Sequence, residues 1–220
     1  MHTCRLAGAL GICFLTTVLF STADAAETKT FESYKCQLTL PGPKYTWLDV
    51  SKMPGAAAGF TEDSGVNFIL LADRDSDFRL SKAAIAGFET GLMKPGITTK
   101  IDGTMIQFQG VPCYQMNVRH IQNDTLLTVR LLVANGYWYQ LMLIRPSSLI
   151  LDPAKIESLF SSFQFIGTPS PPAATPHAAT NDPYYTFGYH MGQILGLCLI
   201  AIVAILVVRL VTRKGKKDTI

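Results

Sequence analysis

The feature that most constrains this chain is the run MGQILGLCLIAIVAILVV, Met191–Val208, which holds no charged residue. A helix on the surface of a soluble domain keeps a polar stripe toward water, and this run has none. Extended upstream to Phe187, it reaches the roughly 20 apolar residues that a helix needs to cross a hydrocarbon core about 30 Å thick. The sequence therefore predicts a transmembrane helix over residues 187–208 and a tail over residues 209–220. Arg209, Arg213, Lys214, Lys216 and Lys217 make the tail basic, and the bias of Lys and Arg toward the cytoplasmic side places it inside. Everything before the span then faces outward, with Tyr184, Tyr185, Phe187 and Tyr189 at the height of an outer aromatic belt.

The other end of the chain agrees with this topology. Arg5 is followed by the apolar stretch Leu6–Phe20 and by Ala23-Asp24-Ala25, the order of a signal peptide over residues 1–25 with an A-x-A cleavage site. Cys13 lies inside the apolar stretch behind the bulky Ile12, which does not suit a lipid-modified cysteine. The net charge of +3 resides in the tail: residues 27–182 hold 13 Lys and Arg against 14 Asp and Glu. A near-neutral exported part has no electrostatic motive to bind nucleic acid. The expected protein is single-pass, with its domain on the periplasmic face of a bacterial inner membrane; a eukaryotic secretory membrane fits the same order of segments.

Residues 27–167 read as one exported domain. YKCQLTL alternates polar and apolar residues and stops at PGP, and GVNFILLA is a continuous apolar run that suits a buried strand. SKAAIAGFETGLMK places Ile85, Phe88 and Leu92 at helical spacing behind Ser81 as cap. TKIDGTMIQF, PCYQMNVRHI, TLLTVRLLV and YWYQLMLIR follow with separators short enough for an antiparallel meander. Leu127, Val129, Leu131 and Val133 would form a buried face, with Thr128 and Arg130 on a partly wet one. LDPAKIESLFSSF then predicts a helix with Asp152 as cap and Pro153 in its first turn, and QFIG a short last strand. PGAAAGF lacks the Lys and Ser of a phosphate loop and reads as a plain loop. Residues 168–182, rich in Pro, Ala and Thr, form an extended linker.

The sum is an α+β fold, an antiparallel meander packed by two helices, with a C-terminal transmembrane helix. The opening YKCQLTLPGP, the helix-to-strand passage, the meander ending in YWYQLMLI and the close KIESLFSSFQF resemble the Mog1/PsbP-like superfamily, including its exported bacterial members. The likeness covers about 135 residues of the domain and rests on element order, not on a catalytic signature. It implies a non-enzymatic sandwich that binds a protein partner or assists an assembly, and it carries over no catalytic residues. The linker and span depart from the soluble members.

Asp73, Asp75 and Asp77 open like a calcium loop, but its glycine and bidentate positions are held by Phe78 and Ala84. A solvated turn accounts for them better. His120 is the only histidine in residues 27–167, too few for a histidine-based zinc site, and no nucleophile elbow accompanies it. No metal, cofactor or catalytic residue is therefore expected. Cys36 and Cys113 are the only cysteines of the exported domain, and an oxidising compartment favours a disulfide between them, worth about 4 kcal/mol by chain entropy. Their strand faces differ in character, which leaves two free thiols as the alternative.

Tyr137, Trp138 and Tyr139 alternate across a strand, so one face should offer an aromatic anchor to a partner unless a helix or loop covers both. Gly188, Gly192 and Gly196 recur at every fourth residue, a face that lets a second helix backbone approach. A homodimer through the membrane helix is the expectation they raise. The function expected is a non-catalytic binding or assembly module displayed in the envelope to an envelope protein; a membrane-anchored extracytoplasmic hydrolase with an unrecognised site is the alternative.

Overall fold

The computed structural model of the chain describes residues 26–75, 78–172 and 185–193. The expected signal segment, most of the expected linker and span, Gly196 and the basic tail lie outside them. Among the described residues no helix is long and apolar enough to cross a membrane.

Among the described residues ten strands, three α-helices and one short 3-10 helix, Glu32–Tyr34, form the domain: β1 Thr28–Phe31, β2 Cys36–Thr39, β3 Tyr45–Trp47, β4 Ala56–Glu62, β5 Asn67–Arg74, α1 Lys82–Leu92, β6 Thr98–Phe108, β7 Val111–His120, β8 Thr125–Ala134, β9 Tyr137–Pro146, α2 Pro153–Phe160 and β10 Phe163–Phe165, with α3 over residues 185–193. A seven-stranded sheet runs β3-β4-β5-β9-β8-β7-β6, and a small sheet runs β1-β2-β10. Every ladder is antiparallel. The expected meander is β6 to β9. The β8–β9 hairpin turns on Asn135 (φ 57°) and Gly136 (φ 78°), the two positive angles that its tight turn demands.

Local chemistry sets the helices as expected. Ser81 Oγ accepts from the Ala84 N–H at 3.1 Å and caps α1. Asp152 Oδ1 accepts from the Lys155 N–H at 2.7 Å and caps α2, with Pro153 where its missing N–H costs nothing.

Two cores lie on opposite faces of the large sheet. Ile69, Leu71, Met116, Val129, Leu131 and Met142 meet α1 on one face. Phe68, Leu70, Leu132, Leu141 and Leu143 meet α2 and the small sheet on the other. The expectation that β8 keeps a wet face is corrected here: Thr128, Arg130 and Leu132 are buried as well, because α2 and the small sheet cover that side. A strand buried on both faces explains why β5 reads as a continuous apolar run. β4 replaces the loop expected at PGAAAGF: its Gly59 lies so close to the Phe68 carbonyl of β5 that no side chain fits between them.

Candidate functional site: the helix seat and the β6 edge

The expected membrane anchor does not begin at a distance from the domain. Its first turns, α3, lie directly on α1. Gly87 and Gly91 of α1 face Gly188 and Gly192 of α3, and at all four positions an added Cβ would collide with main chain of the other helix. At Gly87 it would meet the Tyr185 carbonyl and come within 3.0 Å of the Tyr189 nitrogen; at Gly91, the Tyr189 carbonyl, and within 3.1 Å of the Gln193 nitrogen. The converse holds at Gly188, against the Ala84 carbonyl, and at Gly192, against the Phe88 carbonyl. Residue numbers rise together along both helices, so the pair is parallel. Each glycine presents Cα–H to a carbonyl of its neighbour, the close contact that small residues four apart permit. Phe187 completes the seat, 4.5 Å from the Phe78 ring and 6.2 Å from that of Trp138. Met191 is buried in the α1-side core.

This arrangement corrects two expectations. At Gly188 and Gly192 the supposed dimer face is filled by α1 of the same chain, and a second copy would have to displace α1 to reach it. The aromatic trio offers no exposed anchor. Trp138 is buried beneath Phe187; Tyr139 is buried on the opposite face, where its hydroxyl donates to the Tyr34 carbonyl at 2.7 Å; Tyr137 is half-buried, edge-on to Tyr34. Helix α3 covers one face of β9 and the small sheet the other. Only the Gly-x-x-x-Gly spacing within α1 itself, in AGFETGL, could have foretold the seat.

The expected Cys36–Cys113 bridge is absent. Both are free and buried. Cys36 opens β2 between Phe31 and Phe165 in the small sheet, whereas Cys113 lies between Ile106 and Leu132 in the large one. Each packs as a small apolar side chain, and burial pushes each thiol up to about 12. Peptide mapping after maleimide treatment without reductant is expected to find both unlabelled at pH 7.4 in the folded protein and both labelled once it is unfolded. A bridge would keep them blocked until reduction.

Beside Cys113, Arg130 crosses the α2-side core at 2 % exposure. Its guanidinium lies 4.1 Å from the Phe160 ring centre and 4.9 Å from that of Phe108, donates to Gln115 at 2.8 Å and pairs with Glu157. A buried arginine between aromatic faces is a structural tie between β8 and α2. On the other face Tyr114 and Lys100 both donate to Glu89, fastening α1 to β6 and β7.

His120 is buried between Thr98 and Thr125, with no partner for Nδ1 among the described residues. Burial lowers its pKa, since the charged ring would be poorly solvated there. An unfolded histidine takes its proton near pH 6.5 and the folded one only below that. Stability from this group is thus full above about pH 6.5 and is lost as pH falls through that value. Urea titrations at pH 7.5 and 5.5 are expected to show a smaller loss on acidification in His120→Gln than in the parent.

Of the acidic run, Asp73 Oδ1 accepts from the Arg74 N–H at 2.7 Å and Asp75 Oδ1 from the Phe78 N–H at 3.0 Å, so these carboxylates shape a turn. Asp77 lies outside the described residues. No cluster of three or more His, Cys, Asp or Glu that could hold a metal occurs among the described residues.

The large sheet ends on β6, eleven residues exposed over most of their length and paired on one side only, with β7. The opposite edge, β3, has three residues. A bulge between Lys100 and Asp102 interrupts β6, and Ile101 and Met105 stand in solvent.

No protein-family model matches the chain, and no curated protein does. Among solved structures it is similar to cyanobacterial PsbP from Synechocystis sp. PCC 6803, at 16% identity and a TM-score of 0.48 over 72% of this chain and 98% of that one. A crystal structure from Bacteroides thetaiotaomicron matches at 9% identity and a TM-score of 0.44, over 64% and 48% of the two chains. A Pseudomonas aeruginosa protein of unknown function matches at 10% and 0.33, over 58% and 98%. Likenesses of this size do not carry function from one protein to another.

Proposed function

We propose that this is a single-pass envelope protein that presents a non-catalytic binding or assembly module outside the cytoplasm, held in a fixed attitude on its own membrane helix. The glycine-lined seat of α3 on α1 carries this reading, because it makes the residues that lead into the apolar run part of the folded domain. A tether to a freely rotating domain has no need for four main-chain contacts. The partner surface in this reading is β6, where an extended segment of another envelope protein adds a strand through main-chain hydrogen bonds.

A photo-cross-linking residue at Thr104 on β6, in full-length protein in native membranes, tests the reading against the same residue at Ser158 on the exposed side of α2. A discrete adduct is expected from position 104, absent from 158, and lost with Met105→Lys. Equal adducts from both positions, or none from 104, would count against β6 as the docking edge.

A further inference from the structure

The direction of α3 fixes which end of the domain approaches the membrane. Helix α1 starts beside Phe78 and ends at Leu92, next to the corner that leads into β6. That corner is tied: the Lys94 N–H donates to Thr98 Oγ1 at 2.7 Å, Thr98 Oγ1 donates to the Leu92 carbonyl at 3.0 Å, and the Ile121 N–H donates to the Ile97 carbonyl at 2.7 Å. The β7–β8 turn is tied in the same way to the segment after β9 by the Ser147 N–H, which donates to the Asp124 carbonyl at 2.9 Å. One end of the sheet therefore gathers three corners, and each shows isoleucine to solvent: Ile101 is 57%, Ile121 51% and Ile150 89% exposed. Ile101 and Ile121 line an open hollow of about 780 Å³ with Thr99, Arg119, Leu126 and Ser147. The opposite end carries the Asn135–Gly136 turn, to which the start of the linker is clasped by the Ser170 N–H on Asn135 Oδ1 at 2.9 Å.

Because α3 runs parallel to α1, it points at the isoleucine end. Gln193 is level with Gly91, and the next residues in the chain are the uncharged run Ile194–Val208. In the reading of this run as a span, the residues that must enter the bilayer therefore follow directly on the Lys94–Ile97 corner.

We propose that the end of the domain bearing Ile101, Ile121 and Ile150 rests in the headgroup layer of the bilayer that holds the chain's own span. The proposal rests on the reading of the apolar run as that span, of which residues 187–193 stay on the domain while Ile194–Val208, with the flanking Leu210 and Val211, remain to enter the bilayer. The contact is chiefly apolar insertion: Arg119 is paired with Asp124 and Lys44 with Glu62, and Lys94, Arg145 and Lys155 stand at this end with Asp63 and Asp152, so it carries little net charge. It therefore needs no anionic lipid and resists salt. The far end of the ten-residue strands then stands about 30 Å from the surface.

The test uses full-length protein in phosphatidylcholine nanodiscs doped with a gadolinium-chelating headgroup lipid. Amide signals of Ile97, Ile121 and Ile150 are expected to broaden several-fold more than those of Asn135 and Gly136, at 50 mM and at 500 mM salt alike. Ile121→Glu with Ile150→Glu should reduce that difference while the protein stays in the discs. Protein that incorporates into discs yet shows equal broadening at both ends would overturn the docking and leave the span intact. Protein that elutes apart from the lipid would overturn the span, and the docking with it.

Discussion

Alanine at Gly91 and Gly188 together is expected to lift α3 off α1. Each new methyl would collide with a main-chain atom of the opposite helix, and a main-chain carbonyl cannot rotate aside as a side chain does. Overpacking in a core that can adjust costs about 1–3 kcal/mol per site. In the seat the strain is relieved only by separating the two helices. The observable is Trp138, which is nearly buried, with Phe187 against its ring. In a Trp47→Phe background it is the sole tryptophan, and its emission should shift to the red in the double variant while the β-sheet circular dichroism holds. Gly196→Ala, one repeat further along the chain, should leave the emission unchanged. If the glycines served only a dimer within the membrane, Gly196 would matter and Trp138 would report nothing.

The second large effect is expected at Phe160. It is fully buried at the end of α2, edge-on to Phe68 at 5.7 Å, with the Arg130 guanidinium on its face. Phe160→Ala removes a buried ring, a change that typically costs about 3–5 kcal/mol. It also takes away one of the two aromatic faces that sheathe a buried cation, worth roughly a further 1 kcal/mol. A loss of about 4–6 kcal/mol is a large share of the 5–15 kcal/mol that stabilises an ordinary domain. Urea unfolding should show it as a lower midpoint at unchanged slope. Phe160→Leu, which keeps most of the volume, should cost less than half as much. A loss below 1 kcal/mol for the alanine variant would mean that the α2-side core is not packed as described.

Much of the fold was legible because local signals were strong. Ser81 and Asp152 stand where caps must stand, Asn-Gly closes the β8–β9 hairpin, and the meander follows from strands separated by two to four residues. β4 was illegible because AAAGF has neither alternation nor β-branched residues; the strand forms there because its glycine lets β5 approach. The cysteines misled because compartment argues for a bridge, whereas pairing register, which puts them in different sheets, is tertiary information. Trp138 and Tyr139 alternate as read, but which element covers each face depends on where α3 and the small sheet dock. The glycine face was visible at Gly188 and Gly192; its partner was not, since a small-residue stripe states how close a helix can come and not which helix it meets.

Between-helix NOEs in the full-length protein in nanodiscs test the seat most directly. Cross-peaks are expected from a Gly91 Hα to the Gln193 amide and from a Gly188 Hα to the Phe88 amide, persisting when labelled protein is diluted into unlabelled. Their absence, or their disappearance on dilution, would contradict it: the first would leave the domain free of its anchor, and the second would place the contact between two copies.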